Sequence, residues 1–187
     1  MRPPYPHHPT SPDDPILDSP RFERHIYLLR SQLHYDIQAQ CEIISKGRQH
    51  EDNTERQTAF VQGDDTYRPL FDRWITKYLM LAKTRMAAFI LEKFRLSKTV
   101  TISQQEEIDI ELHVPREYND TRFEALAQSV HDYIVTGVVS EYIALALPAN
   151  DPLTVNKRKE LEVLYDDIKG NVCATQPGTV RKKYHPF

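Results

Sequence analysis

Four stretches of the chain place apolar residues at every third or fourth position, which is the spacing of an amphipathic helix. The first stretch starts at Arg21 and runs to Gly47, a residue type that favours a helix end. Its apolar positions are Phe22, Ile26, Leu29, Leu33, Ile37, Cys41 and Ile44. The spacing therefore predicts a first helix over 21–47.

A second and longer stretch predicts the main helix of the fold. Pro69 suits the first turn, where its missing N–H costs nothing, and Asp65 or Thr66 can cap the helix. Apolar residues recur as far as Phe94. We therefore expect a helix over 69–97, with a length of roughly 43 Å at 1.5 Å per residue.

Two further helices are predicted in the second half of the chain. Asn119 or Asp120 can cap the third helix, which Pro148 ends. The fourth helix starts at Pro152 and ends at Gly170.

Gly137 lies in the middle of the predicted third helix, within the sequence VTGVVSEY. Glycine lowers helix stability by about 1 kcal/mol relative to alanine, so its presence there needs a reason. We expect another helix to approach closely at this position.

Between Lys98 and Pro115 apolar residues alternate with polar ones, which indicates β-strands. Val100 and Ile102 mark one short strand, and residues 108–112 mark another after the sequence SQQEE. The pattern predicts a two-stranded β insert over about 99–114. Two strands are marginal alone, so they should pack on the helices or pair with a neighbouring chain.

Together these elements predict a mainly α fold: a four-helix bundle with a short two-stranded β insert and extended N- and C-terminal arms. Residues 1–20 contain seven of the 13 prolines and should form an extended arm, because proline interrupts helices and central strands. Residues 21–170 form the predicted helical domain, and residues 171–187 form a C-terminal docking tail.

The composition, with 40% hydrophobic and 27% charged residues, is typical of a soluble globular protein. The apolar runs are too short to cross a bilayer, and residues 1–15 lack the apolar core of a signal peptide, so we expect the chain to stay where it is made. Cys41 and Cys173 lack the spacing of a zinc site or a disulfide framework, so we expect free thiols. The net charge of -3 argues against a dedicated nucleic-acid-binding protein.

Three acidic residues, Glu107, Asp109 and Glu111, share one face of the second predicted strand. Carboxylates at this spacing could bind a hard cation. They are also typical of the solvated face of a half-exposed strand, where acids discourage unwanted edge pairing. A third alternative is a face that lines a passage for DNA, because carboxylates repel phosphates.

The sequence contains no residue pattern typical of a catalytic or metal site. The 8 histidines include no HExxH motif, and the 5 glycines form no phosphate-binding loop. His131 and Asp132 are consecutive on a predicted helix and should point in different directions. The spacing of Arg30 and His34 does not match the arginine-histidine signature of helical ribonucleases. We therefore predict a protein without enzyme activity and without a cofactor or metal.

Both ends of the chain carry residue types that bind partners. In the C-terminal tail, basic and aromatic side chains are expected to anchor an interface. These docking residues are Arg181, Lys182, Lys183, Tyr184, Pro186 and Phe187. In the N-terminal arm the predicted partner-binding residues are Pro3, Pro4, Tyr5 and Pro6. A proline-rich segment has little backbone freedom to lose, so it binds in an extended form at a lower entropic cost.

The sequence resembles the helical head-to-tail connector (neck adaptor) proteins of tailed bacteriophages, especially those of phages and prophages of Bacteroides-like hosts. The resemblance covers residues 67–187, and the N-terminal arm and the first helix lie outside it. The segments that carry it are YRPLFDRWITKYLMLAKTRMAAFI, IDIELHVPREYNDTRFEALAQSVHDYIVTGVVSEYIAL, KRKELEVLYDDIKGNV and VRKKYHPF.

This resemblance implies a structural protein of the virion neck that is made in the cytoplasm of a host bacterium. It implies a homo-oligomeric ring, commonly of twelve subunits, beneath the portal protein. The terminal segment would reach an adjacent neck or tail ring, and double-stranded DNA would pass transiently through the centre. Two other classes remain open: a helical interaction or adaptor protein of a bacterium, and a helical nuclease or metal-dependent hydrolase.

Overall fold

The computed structural model describes residues 21–48, 67–90, 105–115 and 118–173, and these form four helices and one two-stranded antiparallel sheet. The prediction of a mainly helical chain with a small two-stranded sheet is confirmed. The elements are β1 (Arg21–Leu29), α1 (Arg30–Arg48), α2 (Arg68–Arg85), β2 (Glu107–Pro115), α3 (Asp120–Ala146) and α4 (Pro152–Cys173).

The first part of the predicted first helix is a strand. β1 occupies 21–29, and α1 follows directly at Arg30. Ile26 and Leu28 are both buried, although they are two residues apart, because they face the core from one side of the sheet. The prediction of a helix from 21 was therefore wrong, whereas its end near Gly47 agrees with the end of α1 at Arg48.

The sheet joins distant parts of the chain. β1 pairs antiparallel with β2, in a register that runs from Arg21 opposite Pro115 to Leu29 opposite Glu107. The described partner of the predicted acidic strand is therefore β1, a segment that the sequence pattern had placed in the first helix. The other predicted strand, at Val100 and Ile102, lies outside the described residues. The inner face of the sheet belongs to the core and consists of Ile26, Leu28, Ile108, Ile110, Leu112 and Val114.

Helix α3 is the centre of the described fold. Asn119 caps its start, with Oδ1 accepting a hydrogen bond from the backbone N of Thr121 at 2.9 Å, and Pro148 follows its end at Ala146. Every residue over 133–140 is buried, as expected for a helix surrounded by other elements. α3 contacts each of the other three helices. The predicted cap and stop of this helix are confirmed.

Two predicted helix ends were wrong. α2 carries Pro69 in its first turn as predicted, but it ends at Arg85 instead of near residue 97. A turn follows, in which the Phe89 carbonyl accepts a hydrogen bond from the backbone N of His113 in β2 at 2.6 Å. α4 continues to Cys173, so Gly170 lies inside the helix and does not end it.

Gly137 allows α2 to pack closely against α3, as its position in the sequence predicted. A Cβ atom at this position would lie 2.5 Å from a ring carbon of Tyr78. The hydroxyl of Tyr78 donates a hydrogen bond to Glu141 at 3.0 Å, which holds the ring over the glycine. The missing side chain is therefore a packing requirement.

Candidate functional site: the solvent face of the two-stranded sheet

The solvent face of the sheet concentrates negative charge. Side chains from alternate positions of both strands point to this side, opposite the core. They are Glu23, His25, Tyr27 and Leu29 from β1 and Glu107, Asp109, Glu111 and His113 from β2. The predicted alternation of β2 is confirmed, because Glu107, Asp109 and Glu111 are exposed while the residues between them are buried. The described side chains of this face are therefore mostly carboxylates and imidazoles.

His25 connects two of these carboxylates. Its Nδ1 donates a hydrogen bond to Asp109 at 2.9 Å, and its Nε2 donates one to Glu23 at 3.0 Å. A histidine that donates from both ring nitrogens is an imidazolium. The hydrogen bond to Asp109, followed by the one to Glu23, raises the pKa of His25 above 6.5. We call Glu23, His25 and Asp109 the surface cluster.

The rest of the face repeats this chemistry on a smaller scale. Nε2 of His113 donates a hydrogen bond to Glu111 at 2.8 Å. The ring of Tyr27 stacks on that of His25, with ring centroids 5.5 Å apart. Both histidine rings of this face therefore lie against carboxylates, which orient them.

Large apolar side chains are also exposed along β1. Tyr27 is 59% exposed, Leu29 is 52% exposed, and Phe22, on the other side of the strand, is 48% exposed. Because aromatic and aliphatic side chains gain free energy when a partner covers them, β1 has the character of a binding edge.

The described residues leave the outer edge of the β1 backbone without a hydrogen-bonding partner. The backbone N–H of His113 donates to the Phe89 carbonyl, so it points away from β1. Residues opposite each other in an antiparallel pair exchange either both backbone hydrogen bonds or neither. The N–H and C=O of Glu23, the register partner of His113, therefore point away from β2. His25 and Tyr27 share this direction, because they follow at two-residue steps. Among the described residues, no backbone hydrogen bond involves the outward groups of these three positions.

A second group of charged residues joins α1 to α2, and we call it the buried cluster: Arg30, His34 and Asp72. Oδ1 of Asp72 accepts hydrogen bonds from Arg30 at 2.8 Å and from His34 at 2.9 Å. The side chains of Arg30 and His34 are only 8% and 9% exposed. Burial alone would raise the pKa of Asp72, but the hydrogen bonds from His34 and Arg30 outweigh it and lower this pKa.

The buried cluster fixes the junction between β1 and α1. Nε of Arg30 donates to the Gln105 carbonyl at 3.1 Å, and the backbone N of Arg30 donates to the Glu106 carbonyl at 2.8 Å. The Glu106 carboxylate accepts a hydrogen bond from the backbone N of Ser31 at 2.9 Å, which satisfies a free donor at the start of α1. These contacts connect α1, α2 and the chain entering β2, so the buried cluster has a structural role.

His131 also lies between two carboxylates. Its Nδ1 donates to the neighbouring Asp132 at 3.2 Å, and its Nε2 faces Asp36 of α1 at 3.1 Å. The expectation that consecutive residues on a helix could not make this contact was wrong, because the side chains bend toward each other. No local sequence pattern predicted the contact with Asp36, because this residue comes from another helix.

The described part of the chain holds no group of three or more histidine, cysteine or acidic side chains arranged to bind a metal ion. None of the described helices has the length and apolar character of a membrane span.

The two predicted docking sites lie outside the described residues. These are the N-terminal set at Pro3, Pro4, Tyr5 and Pro6 and the C-terminal set at Arg181, Lys182, Lys183, Tyr184, Pro186 and Phe187. The acidic strand is the predicted site that the structure describes. It lies beside Glu23, His25 and Tyr27, which sequence reasoning missed because it assigned them to a helix.

Comparison of the chain with protein-family models, curated proteins and solved structures found no match.

Proposed function

We propose that this chain is a structural protein of the neck of a tailed bacteriophage, where it forms a ring that joins the portal protein to the tail and lets DNA pass. The observation that carries the proposal is the acidic solvent face of the sheet. Its carboxylates are fixed on strands whose other side belongs to the core. A channel wall of this kind repels the phosphate backbone, so DNA slides past without binding.

Two further features support the proposal. The other three helices contact α3, whose residues 133–140 are all buried, and this suits a bundle of four helices that serves as a rigid body of each subunit. The layout of residues 67–187 resembles that of head-to-tail connector proteins. On this proposal the subunits form a homo-oligomer of twelve, as the resemblance implies, and the terminal segments contact the portal protein and an adjacent neck or tail ring.

Electron microscopy and light scattering of the purified full chain test the ring. We expect ring-shaped particles with a central opening, formed by the chain alone or on a portal ring, and labelling of phage necks by an antibody to the chain. A monomer or dimer that does not bind portal proteins would contradict the proposal. It would favour a helical interaction protein of a bacterium instead.

The channel wall has its own test. Changing Glu107, Asp109 and Glu111 together to lysine should leave the ring intact but make it bind double-stranded DNA in low salt, with an affinity that falls steeply as salt rises. A matched control changes Glu160, Glu162 and Asp167, exposed acids of α4, to lysine. If both variants bind DNA equally, the sheet does not face the channel.

A further inference from the structure

We propose that two copies of this chain pair through the outer edges of their β1 strands, antiparallel about a two-fold axis, with Glu23 of each copy opposite His25 of the other. The pairing joins the two-stranded sheets of both copies into one sheet. Contacts around a cyclic ring join two different surfaces, whereas a two-fold contact uses the same surface twice. The inference therefore goes beyond the proposed ring and concerns copies of the chain outside it.

The edge of β1 offers backbone groups for this pairing. The N–H and C=O groups of Glu23, His25 and Tyr27 point away from β2, and no described backbone group bonds to them. Exposed edge strands are usually protected by lysine, proline or a covering element, and β1 contains neither lysine nor proline. Within the described residues, β1 is therefore able to accept another strand.

A second β1 strand has the geometry that this edge requires. β1 is extended over 9 residues, which is longer than a typical strand. Backbone groups at two-residue steps point to the same edge, so two antiparallel copies present matching donors and acceptors to each other. Each pair of outward residues that lie opposite each other would exchange two backbone hydrogen bonds.

The charges of β1 select one register for this pairing. Along the solvent side the strand carries, at two-residue steps, Arg21, Glu23, the His25 imidazolium and Tyr27. Placing Glu23 opposite His25 pairs opposite charges twice and leaves Arg21 opposite the neutral Tyr27. A shift of two residues in one direction would place the two Glu23 residues opposite each other, and a shift in the other direction would do the same for His25. A shift of four residues either removes every pair of opposite charges or leaves only residues 21–23 paired.

The other side of β1 is compatible with this register. Arg24 would lie at the two-fold axis, opposite Arg24 of the second copy. Its guanidinium already forms an ion pair with Asp120 and lies 5.3 Å from the centre of the Phe123 ring, so its charge is compensated within each subunit. Phe22, which is 48% exposed, would lie beside Ile26 of the second copy and lose part of its exposed apolar surface. Apolar burial thus adds to the backbone pairing.

Oxidative cross-linking of the full chain tests the register. Cys41→Ala and Cys173→Ser first remove the native thiols. Arg24→Cys then places two thiols opposite each other at the axis, in a pair whose Cα atoms lie about 4.5 Å apart, within the range of a disulfide. It should give a covalent dimer. Tyr27→Cys is the matched control, because its two thiols would lie roughly 20 Å apart along the strands, and it should stay monomeric. A dimer with Tyr27→Cys but not with Arg24→Cys would overturn the register.

Charge reversal tests the pairing of Glu23 with His25. Sedimentation equilibrium at a pH below 6.5, where His25 is charged, should show a monomer and dimer in equilibrium for the wild type. Glu23→Lys alone and His25→Glu alone each create two like-charged pairs and should weaken the dimer by roughly tenfold or more. Combining both substitutions in one chain exchanges the charges and should restore the dimer. Glu162→Lys, an exposed position of α4, is the matched control and should leave the affinity unchanged. A double variant as weak as the single ones would overturn the charge pairing.

Amide hydrogen exchange, resolved residue by residue by NMR, separates a second copy from other partners of β1. The amides of Arg24 and Ile26 face β2 and should exchange slowly at every protein concentration. The amides of Glu23, His25 and Tyr27 should become slower as the concentration rises and the dimer forms. Slow exchange of these three at every concentration would mean that another part of the same chain covers β1, and fast exchange throughout would mean that no strand pairs there. Either result overturns the proposal.

The outcomes for the dimer and for the ring are distinguishable. A dimer that neither binds a portal protein nor forms a ring would support this inference and contradict the proposed function. Rings in which the three outward amides exchange fast, with no dimer at any concentration, would support the proposed function and overturn this inference.

Discussion

The buried cluster and the surface cluster use the same chemistry in different surroundings. Each joins a histidine to a carboxylate, with distances of 2.9 Å for both His34 to Asp72 and His25 to Asp109. The side chains of His34 and Asp72 are 9% and 22% exposed, whereas those of His25 and Asp109 are 28% and 48% exposed. Water competes for the surface pair and screens it, so we infer that the buried cluster stabilises the fold and the surface cluster is free to serve an interface.

The sharpest test of this contrast removes one carboxylate from each cluster. Asp72→Ala leaves Arg30 and His34 buried without their acceptor and should lower the free energy of unfolding by about 3 kcal/mol. Asp109→Ala is the matched control, and its effect on unfolding should be too small to resolve. Urea denaturation monitored by circular dichroism measures both, and equal losses would show that burial does not separate the clusters.

The two glycines within helices allow a second comparison, between a crowded position and an open one. Gly137→Ala places a methyl group against the ring of Tyr78 and should destabilise the fold by about 1–3 kcal/mol, even after its gain in helix propensity. Gly170→Ala is the control, because nothing lies within 4 Å of its Cβ position, and it should stabilise by up to about 1 kcal/mol. Thermal unfolding compares the two, and destabilisation by both would contradict the close packing of α2 on α3.

Acid should weaken the buried cluster selectively. The pKa of Asp72 is lowered in the folded state, so its contribution to stability is complete above its ordinary value of 3.8. That contribution disappears as the pH falls below 3.8 and through the folded pKa. The stability difference between the wild type and Asp72→Asn should therefore be constant at higher pH and shrink below 3.8. A difference that stays constant in strong acid would contradict a lowered pKa.

The surface cluster should show its response to pH most directly in the titration of His25. NMR titration of His25 should give a pKa above 6.5 in the wild type, because Asp109 and Glu23 stabilise the imidazolium. Asp109→Asn with Glu23→Gln should return it toward 6.5 and should leave the melting temperature unchanged at a pH well above the folded pKa, where the imidazole is neutral in both states. A wild-type midpoint at or below 6.5 would mean that the two hydrogen bonds of His25 do not form in solution.

Local sequence signals predicted those elements whose stabilising contacts are also local. The cap at Asn119, the proline in the first turn of α2 and the alternation of the acidic strand were all correct, because each depends on residues a few positions apart. The end of α4 was wrong because Gly170 faces open space and is tolerated within the helix. The contacts of Asp72 and Asp36 could not be predicted from local sequence, because their partners come from other elements.

The sequence by itself determined a mainly helical chain, the bounds of α3, the close approach at Gly137 and the acidic face of β2. Only the tertiary structure decided that residues 21–29 form a strand. Their apolar residues fit both the helical and the strand spacing. Phe22, Ile26 and Leu29 follow the three- and four-residue steps of a helix, whereas Ile26 and Leu28 follow the two-residue step of a strand. Pairing with β2 resolves this ambiguity, because it satisfies the backbone and buries Ile26 and Leu28 in a core that local sequence does not contain.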